Sequence, residues 1–492
     1  MERNTSIPPS HTPSSAASTN LLRVGILDPI AELDPRAAAD NSSTQVLGQI
    51  FEAPFAMQGG ASQCRPLLFA SPLELEASPK EHPVYSAPVR EEVMFSDGTP
   101  LTAAIMARSL ASSRALGNNA SVEARGNRVR FTLNRPNPRF DLTLTHDNCG
   151  IVLEKDGVFL GTGPMMFADR IQLRAPSRAS SLRLVRNPRH RTESSIDEVK
   201  FQVLPADKDG APSALIEAFR RNEIDMTTAL TLHDIEKHQL SSATPSLHPS
   251  NCTGILFFNT RRPALSDPAV RRAISRAVNT GEIAKRSFEK HHAACIAISL
   301  LPPMMGRAMG APQYSVTDAK AILKSVSSPP ARLTLLLPWS PRPYLPKPLA
   351  AAQAIQKDLE VLGIEVTFVE TPTSERFFRE IAAGNYDLAL AGWIADTPDP
   401  ADFFEALLWS KMAEGKHYSN YSHWKHTAMD EALGRFRENP TDANKSEIQR
   451  LIRDEAPLMP LIYGQQAVIH TRKVRDVVVS ATGIVSFATV KV

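Results

Sequence analysis

The sequence predicts an α/β fold with a largely parallel sheet, and three observations carry that reading. Leu333–Leu337 (LTLLL), Ile364–Val369 and Asp387–Ala391 read as strands, with helical stretches at Ala350–Leu362 and Glu375–Ala383 between them. That alternation is the spacing of βαβ units. Each of the two helices runs into a glycine, Gly363 and Gly384, the residue that best tolerates the left-handed conformation just past a helix end. Finally, Gly254–Asn259 (GILFFN) is continuously apolar, as expected of a strand covered on both faces.

Length and composition narrow the class. At 492 residues the chain is too long for one ordinary core, and roughly three domain-sized units are expected. Hydrophobic residues make up 42% and charged residues 22%, the balance of a soluble globular protein. With 55 basic and 52 acidic residues, the net charge is only +3. No nucleic-acid partner is expected, because that function shows as a clustered basic excess; the short run Arg183–Arg191 reads as a solvated face. No stretch approaches the roughly 18 apolar residues of a membrane span. Cys64, Cys149, Cys252 and Cys295 are widely separated with no CxxC, which argues against a zinc ribbon or redox dithiol. Met1–Asn20 is polar and rich in Ser, Thr and Pro; it lacks the apolar centre of a secretory signal and predicts a disordered leader.

Taken in order, Leu21–Leu27 predicts the first strand and Thr44–Phe55 a helix with Val46, Leu47, Ile50 and Phe51 on one face. Val93–Phe95 ends a strand and Asp97-Gly98 makes a tight turn. Either Thr99 caps the following helix with Pro100 at its first position, or Thr102 caps one through Ala103–Leu110. Gly126–Leu133, Leu182–Val185 and Val199–Val203 predict strands, and Ala214–Phe219 a helix. Pro268–Val278 predicts an amphipathic helix burying Val270, Ile274, Ala277 and Val278, with Arg271, Arg272 and Arg276 largely off that face. Late helices are expected around Ala428–Phe436 and Ser446–Arg453, and a last strand at Leu461–Ile469. The Pro-rich Pro338–Pro348 reads as a surface connection.

Enzyme signatures are missing: no phosphate loop, HExxH or GxSxG occurs, and Gly161-Thr162-Gly163 lacks a third dinucleotide-loop glycine. No cofactor is expected. His291-His292 and His423/His426 are the metal candidates, but thirteen histidines make such pairs common by chance, and no metal site is predicted. The specific signal is Tyr386–Phe404 (YDLALAGWIADTPDPADFF), in which a strand ends in Gly392-Trp393 and a loop carries Asp396. Ligands of open α/β sheets sit beyond the carboxyl ends of strands. Asp399 before Pro400 is the better helix cap, with Phe403, Phe404, Leu407 and Leu408 as the apolar face, and this frees Asp396 for a cleft. There its carboxylate can hold an ammonium by a charge-assisted hydrogen bond, with Trp393 lining the same pocket or packing in the core.

The chain resembles the family 5 extracellular solute-binding proteins, the oligopeptide-, dipeptide- and nickel-binding group of ATP-binding-cassette importers. The fragments come in the family's order from about Leu21 to Gln466: Leu33-Asp34-Pro35, Val93–Leu101, Gly161–Pro164, Leu184–Pro188, Ile196–Val199, Phe258–Thr260 with Asp267–Ile274, Gly392–Asp396 and Pro457–Leu461. The resemblance implies a two-lobed periplasmic-binding-protein-like clamp of type II with an extra domain, built on mixed sheets with helices on both faces. After the 1–20 leader, lobe I would take 21–50, 161–255 and a return at 466–492. The extra domain would take 51–160 and lobe II 256–465. It also implies a small peptide ligand whose α-ammonium rests on Asp396, with Gly392 and Trp393 beside it. The implied protein is a monomer, periplasmic, and serves an importer permease if exported.

Two departures from the family pattern stand out. The start of the chain shows neither a signal nor a lipobox cysteine, and the strand before FSDG is degenerate (Val84–Val89). The first makes a cytoplasmic sensor or partner-binding protein on the same clamp the alternative expectation, with a clamp recruited for catalysis behind it.

Overall fold

The computed structural model describes residues 20–492 apart from 39, 58–63, 78–81, 118, 170–180, 208–210, 289–294, 306–312, 339–341, 396–398, 415–417 and 481–482. The expected leader therefore lies, but for Asn20, outside the described residues. A ten-stranded mixed sheet runs Met165–Phe167, Ser181–Arg186, Glu198–Val203, Leu21–Ile26, Met226–Thr227, Leu458–His470, Thr244–Phe258, Leu388–Ile394, Arg332–Leu336, Glu365–Val369. Each flank is partly parallel. Leu21–Ile26 pairs in parallel with Glu198–Val203 and Met226–Thr227, and Arg332–Leu336 pairs in parallel with Glu365–Val369 and Leu388–Ile394. Parallel neighbours need crossover connections, supplied by helices such as Ser213–Arg220, Pro348–Glu360 and Ser374–Ala383. The centre is antiparallel, where Thr244–Phe258 pairs with Leu458–His470 on one side and Leu388–Ile394 on the other.

Continuous apolar runs are explained by double-sided cover. Leu256, Phe258, Leu333, Leu335, Leu388 and Leu390 point into one core, while Ile255, Phe257, Leu336, Ala389 and Ala391 point into another on the opposite face. Successive residues of a strand alternate faces, so a strand between two helical layers must be apolar throughout. Leu22, Val24, Leu184, Val199 and Phe201 build a separate core with Val485 and Phe487 from the chain's end.

A second, four-stranded antiparallel sheet runs Glu74–Ala77, Val84–Pro88, Arg128–Leu133, Ala120–Arg125, covered by the helix Ala103–Ala111. Its own core gathers Phe69, Phe95, Met106, Leu110 and Phe131. Thr102 caps that helix, accepting the Ile105 N–H at 3.3 Å, so the second of the two expected caps is the real one. The segment expected to be degenerate is a regular strand: Val84–Pro88 pairs along its whole length with Arg128–Leu133.

Other expectations need correction. The first helix is Asn41–Leu47, opened by Asp40 and closed at Gly48; Ile50 and Phe51 are still buried, in the turn beyond it. The strand expected at Gly254–Asn259 starts at Thr244 and ends at Phe258. Arg271 is not off the buried face of the helix Pro268–Ala277 but 2% exposed. Its guanidinium donates to the carbonyls of Leu265, Ser266, Glu455 and Ala456 at 2.5–3.1 Å. Two of those carbonyls end the short helix Pro263–Ser266 and two end Asp442–Glu455, so one side chain satisfies acceptors that helix ends leave unpaired. Burial lowers its pKa to about 10, and the group stays charged at neutral pH.

Arg271→Met should leave those buried acceptors without donors and lower stability by about 3 kcal/mol or more, read as the urea midpoint followed by tryptophan fluorescence. Arg271→Lys should recover less than half, because one ammonium cannot span four carbonyls. A midpoint unchanged in the Met variant contradicts this account.

Candidate functional site

The strand Leu388–Ile394 sets Gly392 opposite Gly254 and Trp393 opposite Thr253. A Cβ on Gly392 would lie 2.4 Å from Tyr344 Cδ2, and one on Gly254 would lie 2.3 Å from the Tyr344 carbonyl oxygen. On the third strand, a Cβ at Gly464 would meet Pro343 O at 3.1 Å and Cys252 Sγ at 2.1 Å. Three glycines on three adjacent strands thus let Pro343-Tyr344 lie directly on the sheet, which any side chain there would prevent. Burial pushes the Tyr344 phenol up to about 12.

Past Gly392 the strand end is tied down twice. Ala395 N donates to Asn251 O at 3.0 Å, and the Asn251 side-chain amide donates back to Ala395 O. The Trp393 indole N–H donates to Asp402 Oδ1 at 3.0 Å, joining the strand to the first turn of the helix Pro400–Leu408. Asp399 caps that helix, accepting the Ala401 N–H at 3.0 Å, and Phe403, Phe404, Leu407 and Leu408 are fully buried, as the sequence predicted. Asp396 itself lies outside the described residues; what the structure describes is the pair of anchors on either side of it.

The Trp393–Asp402 anchor opens on a cleft of about 560 Å³. Trp393, Asp399, Asp402, Trp409 and Lys411 line one wall, and Arg135–Phe140 of the small four-stranded unit lines the other. Arg139 Nη1 reaches across to within 3.9 Å of Asp399 Oδ1. Burial raises the Asp399 carboxyl above the usual aspartate range, and Arg139 opposes this only in part. Trp409 is held between two cations, Lys411 Nζ at 3.4 Å and the Arg437 guanidinium carbon at 4.5 Å from the ring centroid. Arg437 also forks onto both oxygens of Glu405. Gly392 does not line this cleft; it lies beneath Tyr344. Sequence reasoning missed Tyr344, Arg139, Trp409 and Lys411. Only the glycines at 254 and 392 carried a local signal for any of them, the close approach of Tyr344.

The histidine candidates have structural partners. The His423 ring nitrogens lie 3.2 and 3.0 Å from Ala413 O and Ile381 O, and burial pushes its pKa down. His426 Nδ1 caps the helix Thr427–Glu438. His291-His292 lie outside the described residues. Among the described residues, no group of three or more His, Cys, Asp or Glu side chains is placed to hold a metal, and no helix is long and apolar enough to cross a membrane.

A central sheet shared by two halves, with a cleft beside the carboxyl end of one strand, is the architecture of two-lobed periplasmic binding proteins. The structure of HbpA2 from Haemophilus parasuis superimposes with a TM-score of 0.79 over 96% of this chain and 100% of that one, at 19% identity. Residues 80–413 match the model of the bacterial extracellular solute-binding proteins, family 5 (middle), and the chain belongs to that family. The peptide transport periplasmic protein SapA of Salmonella typhimurium is 29% identical over 49% of this chain and 45% of its own length. Di/tripeptide-binding protein 2 of Pseudomonas aeruginosa is 27% identical over 62% of this chain and 56% of its own. The chain thus spans about half the length of these curated relatives.

With its folded pKa raised, Asp399 makes the native state bind more protons than the unfolded chain between pH about 4 and the raised value. Stability therefore falls as pH rises through that window. Asp399→Asn keeps a capping side chain and should remove this slope, so that its urea midpoint gains on the wild type between pH 4 and pH 7. Midpoints that move in parallel across that range contradict the assignment.

Proposed function

We propose that this chain captures short peptides, or a similar amine-bearing solute, between two hinged halves for uptake by an ATP-binding-cassette importer. The observation that carries the reading is the cleft lined by Trp393, Asp399 and Asp402, on either side of Asp396 in sequence, inside a chain of this family. The ligand's ammonium would rest on the Asp396 carboxylate, a charge-assisted contact strengthened in a cleft that closes and excludes water. Trp393 would wall the pocket, and Gly392 would hold Tyr344 in place behind it.

One half would comprise 21–50, 161–255 and 466–492 with 51–160 packed on it, and the other 256–465. The separate cores of these segments support that division. The hinge would lie where the two long strands lose register, Ser250–Cys252 against Gly464. The chain would act as a monomer in the periplasm, presenting its ligand to a permease, with no catalytic step of its own. The peptide-binding names of its relatives support this reading over an intracellular sensor.

Calorimetry with a library of di- to pentapeptides is expected to find at least one ligand for the wild type, and Asp396→Ala should weaken it at least tenfold, the scale of one charged hydrogen bond lost. Equal binding to both proteins would remove Asp396 from the site.

A further inference from the structure

A second cavity, of about 430 Å³, shares no lining residue with the cleft among the described residues. It is lined by parts of the helices Pro268–Ala277 and Asp442–Glu455 and by the start of the strand Leu458–His470. Three guanidinium groups border it against one carboxylate, Asp454. Arg272 and Arg276 are neighbours one turn apart on the first helix, and Arg453 belongs to the second. The carboxylate is already matched, since Arg450 and Arg453 donate to its two oxygens at 3.1 and 3.3 Å. Arg272 Nη1 donates to the Asp454 carbonyl at 2.7 Å. Arg276 Nη1 donates to the Gln313 carbonyl at 3.1 Å, with Asp318 Oδ2 at 3.9 Å. A guanidinium carries five donors, so each of the three keeps others for a further acceptor. Buried Ser275, Ser299 and Gln449 also border the space. A cavity with polar walls holds water or a ligand rather than staying empty, and this volume is within the range of small-molecule pockets.

We propose that this cavity binds a small organic anion with two or more negatively charged oxygens, through Arg272, Arg276 and Arg453. The planar fork of donors on each guanidinium matches the oxygens of a phosphate or a carboxylate. Ile322 and Ile452, which also line the cavity, offer apolar surface to a short carbon body. The same three charges turn cations away. The site stands apart from the peptide reading and does not depend on it.

The test is calorimetry on the full chain at low salt with three probes: inorganic phosphate, glycerol 3-phosphate and citrate. Wild type is compared with Arg276→Gln and Arg453→Gln, whose side chains are 36% and 47% exposed, so that losing their charge leaves the core intact. Arg332→Gln, at an arginine 70% exposed and outside the cavity, controls for the loss of one charge. At least one probe is expected to saturate a single site on the wild type with a Kd of about 1 mM or tighter. The two phosphates and the citrate distinguish the two kinds of anion. Each cavity variant should weaken that binding about tenfold or more, the scale of a charged hydrogen bond lost, and the control by less than about twofold. No saturable binding of any probe up to about 10 mM, or a loss no larger in the cavity variants than in the control, would overturn the proposal. Either result leaves the peptide reading untouched.

Discussion

The pairing of Thr244–Phe258 with Leu458–His470 is the constraint on which the rest of the structure depends. At their outer ends, Thr244 faces His470 and Pro245 faces Ile469, beside the sheet that holds the first strand of the chain. At their inner ends, Leu256 faces Met459 and Phe257 faces Leu458, inside the cores of the other half. Two strands that belong to both halves keep them in one sheet and fix which edges face each other. The ladder shifts register twice in its middle, where Ser250, Asn251 and Cys252 stand opposite Gly464 and again between Gly254 and Ile255. A local loss of register lets a strand pair bend there without breaking hydrogen bonds elsewhere.

The site grows out of that break. Asn251, at the irregular point, is the residue that ties down Ala395 at the end of the neighbouring strand. Gly464 and Gly254, on the two long strands, join Gly392 in making room for Pro343-Tyr344. The irregular point therefore touches Ala395, the residue before Asp396, and on the proposed reading a movement of one half against the other would reach it. Elsewhere a buried carboxylate ties distant segments together. Asp225, fully buried, takes Arg23 from the first strand and Lys473 from the C-terminal return, and these cations keep its carboxyl below the usual range.

Much of the fold was legible because its signals are local. The βαβ spacing, the glycines at 363 and 384, the Asp399-Pro400 cap and the buried run Gly254–Asn259 all depend on residues close in sequence. What was missed depends on distant partners. Thr244–Asn251 (TPSLHPSN) carries two prolines and few apolar residues, so nothing in it announces a strand; its partner, more than 200 positions on, makes it one. Ala120–Arg125 is an edge strand whose side chains are mostly exposed, and an edge strand needs no apolar alternation. Arg271 sits at a helical position that reads as solvent-facing until two other helices end against it. The same holds for the site: Gly392, Trp393 and Asp396 stand together in sequence, whereas Arg135 and Arg139 reach the cleft only because the small unit folds over it.

On the proposed reading, two halves joined by one irregular strand pair close around a guest. Small-angle X-ray scattering on the full chain, with and without a peptide at saturating concentration, tests it most directly. The account predicts a smaller radius of gyration in the complex. A radius that stays the same while calorimetry shows the peptide bound would contradict it.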